Sequence, residues 1–219
     1  MIKSPKPAFE KIEPGFGSSF SYRMYDENHE NNNHNFWHYH PELELVYVKG
    51  GTGKRQVGSH ISYYRNGELI LIGSNLPHCG FTDSLNNYER ETVIQMRPDF
   101  LGESFFNIPE MRSIKALFER AKMGIVFHGE LKRDVGAKIE ALKDVSNYER
   151  LLGLLEILKL LEIADKYTVL NAQGFILETE LQDNNRINII FNFVKEEFKR
   201  QITLEEISEL VSMTVPAFC

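Results

Sequence analysis

Three residues within a span of seven could hold a polar ligand or a metal ion: His38, His40 and Glu44. With Gly51 they form the spacing H-x-H-x3-E-x6-G. Side chains alternate faces along a β-strand, so a strand through 38–44 points both imidazoles and the carboxylate the same way. Convergent donors on a rigid element are what a bound metal or polar ligand requires. Glu42 shares their parity, which makes that face unusually polar for a strand.

This spacing resembles the first sequence motif of the cupin family, small β-barrels that hold a ligand or metal inside. A second cupin motif is partly kept over 67–78, where Gly67 opens it and His78 closes it. Gly73 stands where the family usually has proline, Asn75 where it has glycine, and Thr82 where it has asparagine. The resemblance implies that His78 joins His38, His40 and Glu44 from a neighbouring strand. Three roles are open to these four. They can bind a divalent metal (Zn, Ni, Fe or Mn), line an organic-ligand pocket, or serve as satisfied polar groups of the fold. In a pocket, Arg55 could clamp a carboxylate and Tyr47 could stack on a sugar ring. Trp37, odd in parity relative to the histidines, is expected to pack outside. Cys79 is expected to be a buried, inert thiol.

Elements must place these side chains. Aromatic and serine-rich residues over 16–26 suit a strand, and 27–35 a polar loop. Further strands are expected over 42–49, 54–57, 63–64, 68–72 and 88–96, with Gly50-Gly51-Thr52-Gly53 as a hairpin turn. Gly53-Lys54 does not open a phosphate loop, because Arg55 follows and no glycine lies at the required distance upstream. Many short strands at regular spacing imply a sandwich or barrel. After Pro98 the texture becomes helical, with helices from Pro109, over 130–142 and over 148–165, and a brief strand over 124–127. The last helix is apolar on more than one side, so it has more than one neighbour. Leu151, Leu154, Leu155, Leu158 and Leu161 are its candidates for a homodimer contact, the commonest closed assembly being a symmetric dimer.

Composition narrows the classes. Lys plus Arg number 25 against 31 Asp plus Glu, a formal charge of -6, which argues against a generic polyanion binder. The two cysteines form no disulfide framework, so a reducing compartment is expected. No apolar run follows the N-terminal lysines, and 151–164 is interrupted by Glu156, Lys159 and Glu162. A cytoplasmic protein with no membrane partner is expected.

The C-terminal stretch adds a different signature. Ile187, Ile190, Phe191, Val194 and Phe198 repeat at helical spacing. Thr203-Leu204-Glu205-Glu206 is a capping box, and Thr214 is a fresh cap with Pro216 in the next first turn. Two short capped helices about a tight turn outline a helix-turn-helix. The order of parts over 38–53, 67–78 and 202–218 resembles the AraC family of bacterial transcription regulators. That resemblance implies an α+β protein in three parts. A cupin-like sensor barrel (double-stranded β-helix) takes 1–108, a helical dimerisation region 109–183, and an incomplete helix-turn-helix domain 184–219. It also implies a small-molecule effector, often a sugar, and DNA as partner through the intact C-terminal domain. Thr214, Val215 and Pro216 would begin the first recognition helix. The sequence stops five residues past that cap, and 186–219 carries four Lys/Arg against five Glu, so a fragment of a longer regulator is expected. The runner-up is a metal-dependent cupin enzyme, a dioxygenase or isomerase, which explains the histidine motif but not the capped helix pair.

Overall fold

The computed structural model describes residues 7–26, 37–81, 88–171, 189–190, 193–194, 197 and 200–218. The expected loop over 27–35, Thr82, and most of the helix from Ile187 lie outside these residues. Ten strands are described: β1 (Ala8–Phe9), β2 (Ser21–Tyr25), β3 (His38–Tyr39), β4 (Leu43–Gly50), β5 (Thr52–Val57), β6 (His60–Arg65), β7 (Glu68–Ile72), β8 (Tyr88–Met96), β9 (Ile125–Phe127) and β10 (Tyr167–Val169). Three helices, α1 (Arg112–Ala121), α2 (Gly129–Ala141) and α3 (Asn147–Glu162), follow the strand-rich half.

One antiparallel sheet has the order β10-β9-β7-β4-β8-β2. β4 lies at its centre, hydrogen-bonded to β7 and β8, and a strand covered on both faces reads as a continuous apolar run. Its alternation divides two cores. Leu43 and Leu45, with Leu69, Leu71, Ile94 and Met96, face α1, α2 and α3 through Ile114, Leu117, Val135, Ile139, Leu154 and Leu158. Val46 and Val48, with Ile70, Ile72 and Val93, share the other core with Val57, Tyr64, Leu76 and Phe81. Each such aliphatic side chain contributes about 1.5–3 kcal/mol by leaving water.

The opposing strands are the parallel pair β1–β3 and the hairpin β5–β6. His78 links them, bridging His38 on one side and Val57 on the other. Ser146 and Glu149 form a reciprocal capping box at the start of α3.

The compact units are Met1–Phe175 and Ile176–Cys219. α1–α3 pack on the sheet's own core, within the first unit. Within the C-terminal unit, Thr203 Oγ1 accepts from the Glu206 amide at 3.2 Å and opens the helix Leu204–Leu210. Ser212 takes a positive φ in the following turn, and Val215–Phe218 begins a new helical turn.

Candidate metal centre

The four residues converge, but not from one strand face. β3 ends at Tyr39, a bend at Pro41-Glu42 follows, and β4 starts at Leu43. His38 therefore comes from β3, His40 from the corner, and Glu44 from the first turn inward of β4, on the face it shares with Val46 and Val48. His78 arrives on the segment paired with β3: its amide donates to the His38 carbonyl at 2.9 Å, and the His38 amide returns the bond at 3.0 Å. All four are buried, and one ligand atom from each lies within 4.8 Å of the others.

Two departures from the cupin pattern have local reasons. A side chain at Gly73 would meet the Lys122 amide nitrogen at 2.4 Å, where α1 ends against this loop. Asn75 has φ 58°, a left-handed conformation that asparagine tolerates better than most residues, and its amide holds the His40 carbonyl at 2.8 Å.

Hydrogen-bond partners favour a proton on Nδ1 of two of the rings. His40 Nδ1 lies 3.2 Å from the Glu42 carbonyl, and His78 Nδ1 lies 2.8 Å from the Leu76 carbonyl. A carbonyl only accepts, so both Nδ1 atoms donate, and a neutral ring then presents a bare lone pair at Nε2. Those Nε2 atoms face the two oxygens of a single carboxylate: His40 is 3.1 Å from Glu44 Oε2, and His78 is 3.3 Å from Oε1. The His78 Nε2 is buried and meets Glu44 as an ion pair when the ring is charged. Acceptors aimed at an acceptor require a cation among them, either protons on the rings or a metal ion. The donor set of three imidazoles and a carboxylate suits Zn, Ni, Fe or Mn. Rings anchored through Nδ1 to backbone carbonyls are the outer support that metal-bound histidines use. The residues present fit a divalent metal.

Burial pulls the His40 imidazole down, but its hydrogen bond to Glu44 and the charges of Glu44, Glu42 and Glu10 outweigh that and hold it above its ordinary value. Burial pushes Glu44 up, yet the neighbouring His78 and His40 hold it well below the usual carboxylate range. Burial raises Glu42 and Glu10, and the Glu44 charge adds to the rise at Glu10. Gln95 Nε2 donates to Glu44 Oε2 at 2.7 Å. A small cavity of about 20 Å³, enough for an ion or a water, opens beside the cluster and is lined by Glu10, Arg23, His38, Glu44, Glu91 and Gln95 among others.

A family model, the AraC-like ligand binding domain, matches residues 22–161. The chain belongs to the AraC-like family. Among solved structures it is similar to apo ToxT from Vibrio cholerae, at 12% identity and TM-score 0.47, covering 90% of this chain and 72% of that one. Wild-type ToxT with an unsaturated fatty acid bound is similar at 12% identity and TM-score 0.45, covering 93% and 72%. The AraC-like transcriptional activator CuxR is similar at 8% identity and TM-score 0.42, covering 81% and 59%. No curated protein matches the sequence. Among the described residues, no helix is long and apolar enough to cross a membrane.

Other expected residues of this AraC-like domain lie elsewhere. Tyr47 has the parity of Leu43 and Leu45, so it packs on the helical side, where its ring fills the place a side chain at Gly136 would take. Arg55 is held by Glu68 and by Ser62 Oγ at 2.7 Å, and neither Arg55 nor Tyr47 lines the cavity. Leu154, Leu158 and Leu161 are buried in the chain's own core, and Leu151 and Leu155 are half-buried. The exposed apolar residues along α3 are Tyr148 and Leu152, with Ile163 just past its end. Sequence reasoning missed Glu10 and Gln95. Gln95 had a signal, a polar residue inside the apolar run Val93-Ile94-Gln95-Met96; Glu10 had none.

Proposed function

We propose that the chain is the sensing part of a one-component bacterial transcription regulator whose effector is a divalent transition-metal ion. His38, His40, Glu44 and His78 hold the ion in a cupin-like barrel. The observation that carries the reading is the convergence of three buried imidazoles and one buried carboxylate, with one ligand atom from each within 4.8 Å of the others. The small cavity beside the cluster, about 20 Å³, is large enough for an ion.

When bound, the metal supplies a fixed charge that the four side chains share. The residues then do the rest. His38 and His78 tie β3 to the neighbouring segment, and Glu44 ties both to the central strand. His78 also bridges Val57, whose carbonyl accepts from Asn171 Nδ2 at 3.1 Å. Asn171 further donates to the Met123 carbonyl at 3.0 Å and accepts from the Ser59 amide at 3.1 Å. Asn171 stands near the end of the sensor unit, before the chain continues to the C-terminal helices. Asn171 thereby ties the hairpin that His78 bridges to the segment after α1.

Output is sequence-specific DNA binding through a helix-turn-helix that includes Leu204–Leu210 and opens its second helix at Thr214, Val215 and Pro216. A homodimer joins through the exposed Tyr148, Leu152 and Ile163, which fall on one side of α3 with half-buried Leu155. The test is selection of sequences from a random DNA library by the full-length regulator, with Zn²⁺, Ni²⁺, Fe²⁺ or Mn²⁺ and with chelator. Enrichment that changes with one metal supports the reading; identical enrichment with and without metal contradicts it.

A further inference from the structure

One more carboxylate lies against His38 at the edge of the cluster. Glu10 directly follows β1, which pairs in parallel with β3 in the register Ala8 to His38. The backbone fixes its place, since the Ala8 amide donates to the Trp37 carbonyl at 2.9 Å and the Glu10 amide to the Tyr39 carbonyl at 2.9 Å. Its Oε2 lies 3.2 Å from His38 Nε2, with the side chain 14% exposed. Glu10 and Glu44 line the same small cavity.

Charge gives this placement its meaning. A divalent ion among three neutral imidazoles and one carboxylate leaves a net positive charge in a buried site, and an uncompensated buried charge is costly. A second carboxylate offsets that charge, beside Arg23 and Glu91, which line the same cavity with opposite signs. It also adds an oxygen donor, which widens the range of suitable metals toward harder ions such as Mn²⁺. We propose that Glu10 is a fifth ligand, the second carboxylate of a three-imidazole, two-carboxylate cation site. This rests on the metal reading above, and it brings into the site a strand that neither histidine motif contains.

The competing role for Glu10 is to orient His38 by accepting a ring N–H. Glu10→Gln separates the two, because the amide keeps an accepting oxygen but loses the charge. Zn²⁺ and Mn²⁺ affinities are measured by competition titration for the wild-type chain, Glu10→Gln and Glu10→Ala, and the Co²⁺-loaded absorption spectrum of each is recorded. Thermal unfolding of the metal-free variants checks that they fold. Both variants are expected to lose more than roughly 100-fold in affinity, beyond what loss of an outer hydrogen-bond partner costs, and Glu10→Gln to shift the Co²⁺ bands. A Glu10→Gln affinity nearer to wild type than to Glu10→Ala, or an unchanged Co²⁺ spectrum, overturns the assignment while leaving the four-residue site intact. No metal binding by the wild-type chain overturns the metal reading itself.

Discussion

Glu44 and Gln95 sit directly opposite each other on β4 and β8, and the amide of one donates to the carboxylate of the other at 2.7 Å. A buried carboxylate between two imidazoles thus has a neutral donor fixing its orientation from the neighbouring strand. Gln95→Leu should remove a hydrogen bond to a charged group, worth about 1.5–3 kcal/mol. Urea unfolding of the metal-free chain reads the loss. Metal affinity should weaken by about 10–100-fold, as for other outer-partner losses. A stability change near zero would mean that Glu44 does not depend on the amide.

His78→Ala deletes the Nε2 that faces Glu44 Oε1 and should abolish the rise in melting temperature that saturating metal gives the wild-type chain. Differential scanning fluorimetry with and without Zn²⁺ or Ni²⁺ measures it. An unchanged rise would place any metal elsewhere.

The pH dependence should differ in sign between the metal-free and loaded states. His40 is raised from its ordinary 6.5, so its contribution to the metal-free fold is fully present below that value and is lost as pH climbs through the raised one. Glu44 is depressed from 4.5, so its contribution is present above that value and is lost as pH falls through the lowered one. The pair therefore supports the metal-free fold most between 4.5 and 6.5. Metal competes with protons for imidazole, so its binding strengthens with rising pH. The gain in melting temperature on loading should thus grow between about pH 5.5 and 8, around the ordinary histidine range. A gain that shrinks over that range would contradict imidazole ligation.

Asn171→Ala leaves the Val57 and Met123 carbonyls and the Ser59 amide without their side-chain partner. The expected cost is about 2–4 kcal/mol, from several lost hydrogen bonds with groups left unsatisfied. Metal affinity should stay within a few-fold of wild type. Loss of metal affinity instead would make Asn171 part of the site's support.

Leu152→Glu should preserve the fold and lower the solution mass, measured by light scattering, because Leu152 is 48% exposed. Leu154→Glu should unfold the chain, because Leu154 is fully buried in its own core. A Leu152 variant of unchanged mass would remove α3 as the dimer contact.

Much of this was legible in residue order, for physical reasons that also show where legibility ends. Leu69–Ile72 is an apolar run and Thr92-Val93-Ile94 a β-branched one, and the strands Glu68–Ile72 and Tyr88–Met96 form with the expected limits. The single-strand argument for His38, His40 and Glu44 named residues that do converge, but by a different geometry, because the bend at Pro41-Glu42 resets the alternation. Tyr47 was misplaced although its parity opposed that of Glu44 within β4. Glu10 was invisible because a parallel pairing between strands thirty residues apart leaves no local pattern. Leu154 and Leu158 look the same in sequence whether they meet a sheet or a partner subunit.

The central claim is that His38, His40, Glu44 and His78 form one metal site. Elemental analysis of the purified chain, dialysed against each candidate metal and then against metal-free buffer, tests it most directly. The account predicts one tightly held divalent ion per chain, lost in His38→Ala, His40→Ala and His78→Ala. A chain that retains no metal, or one whose content is unaffected by those substitutions, would contradict it.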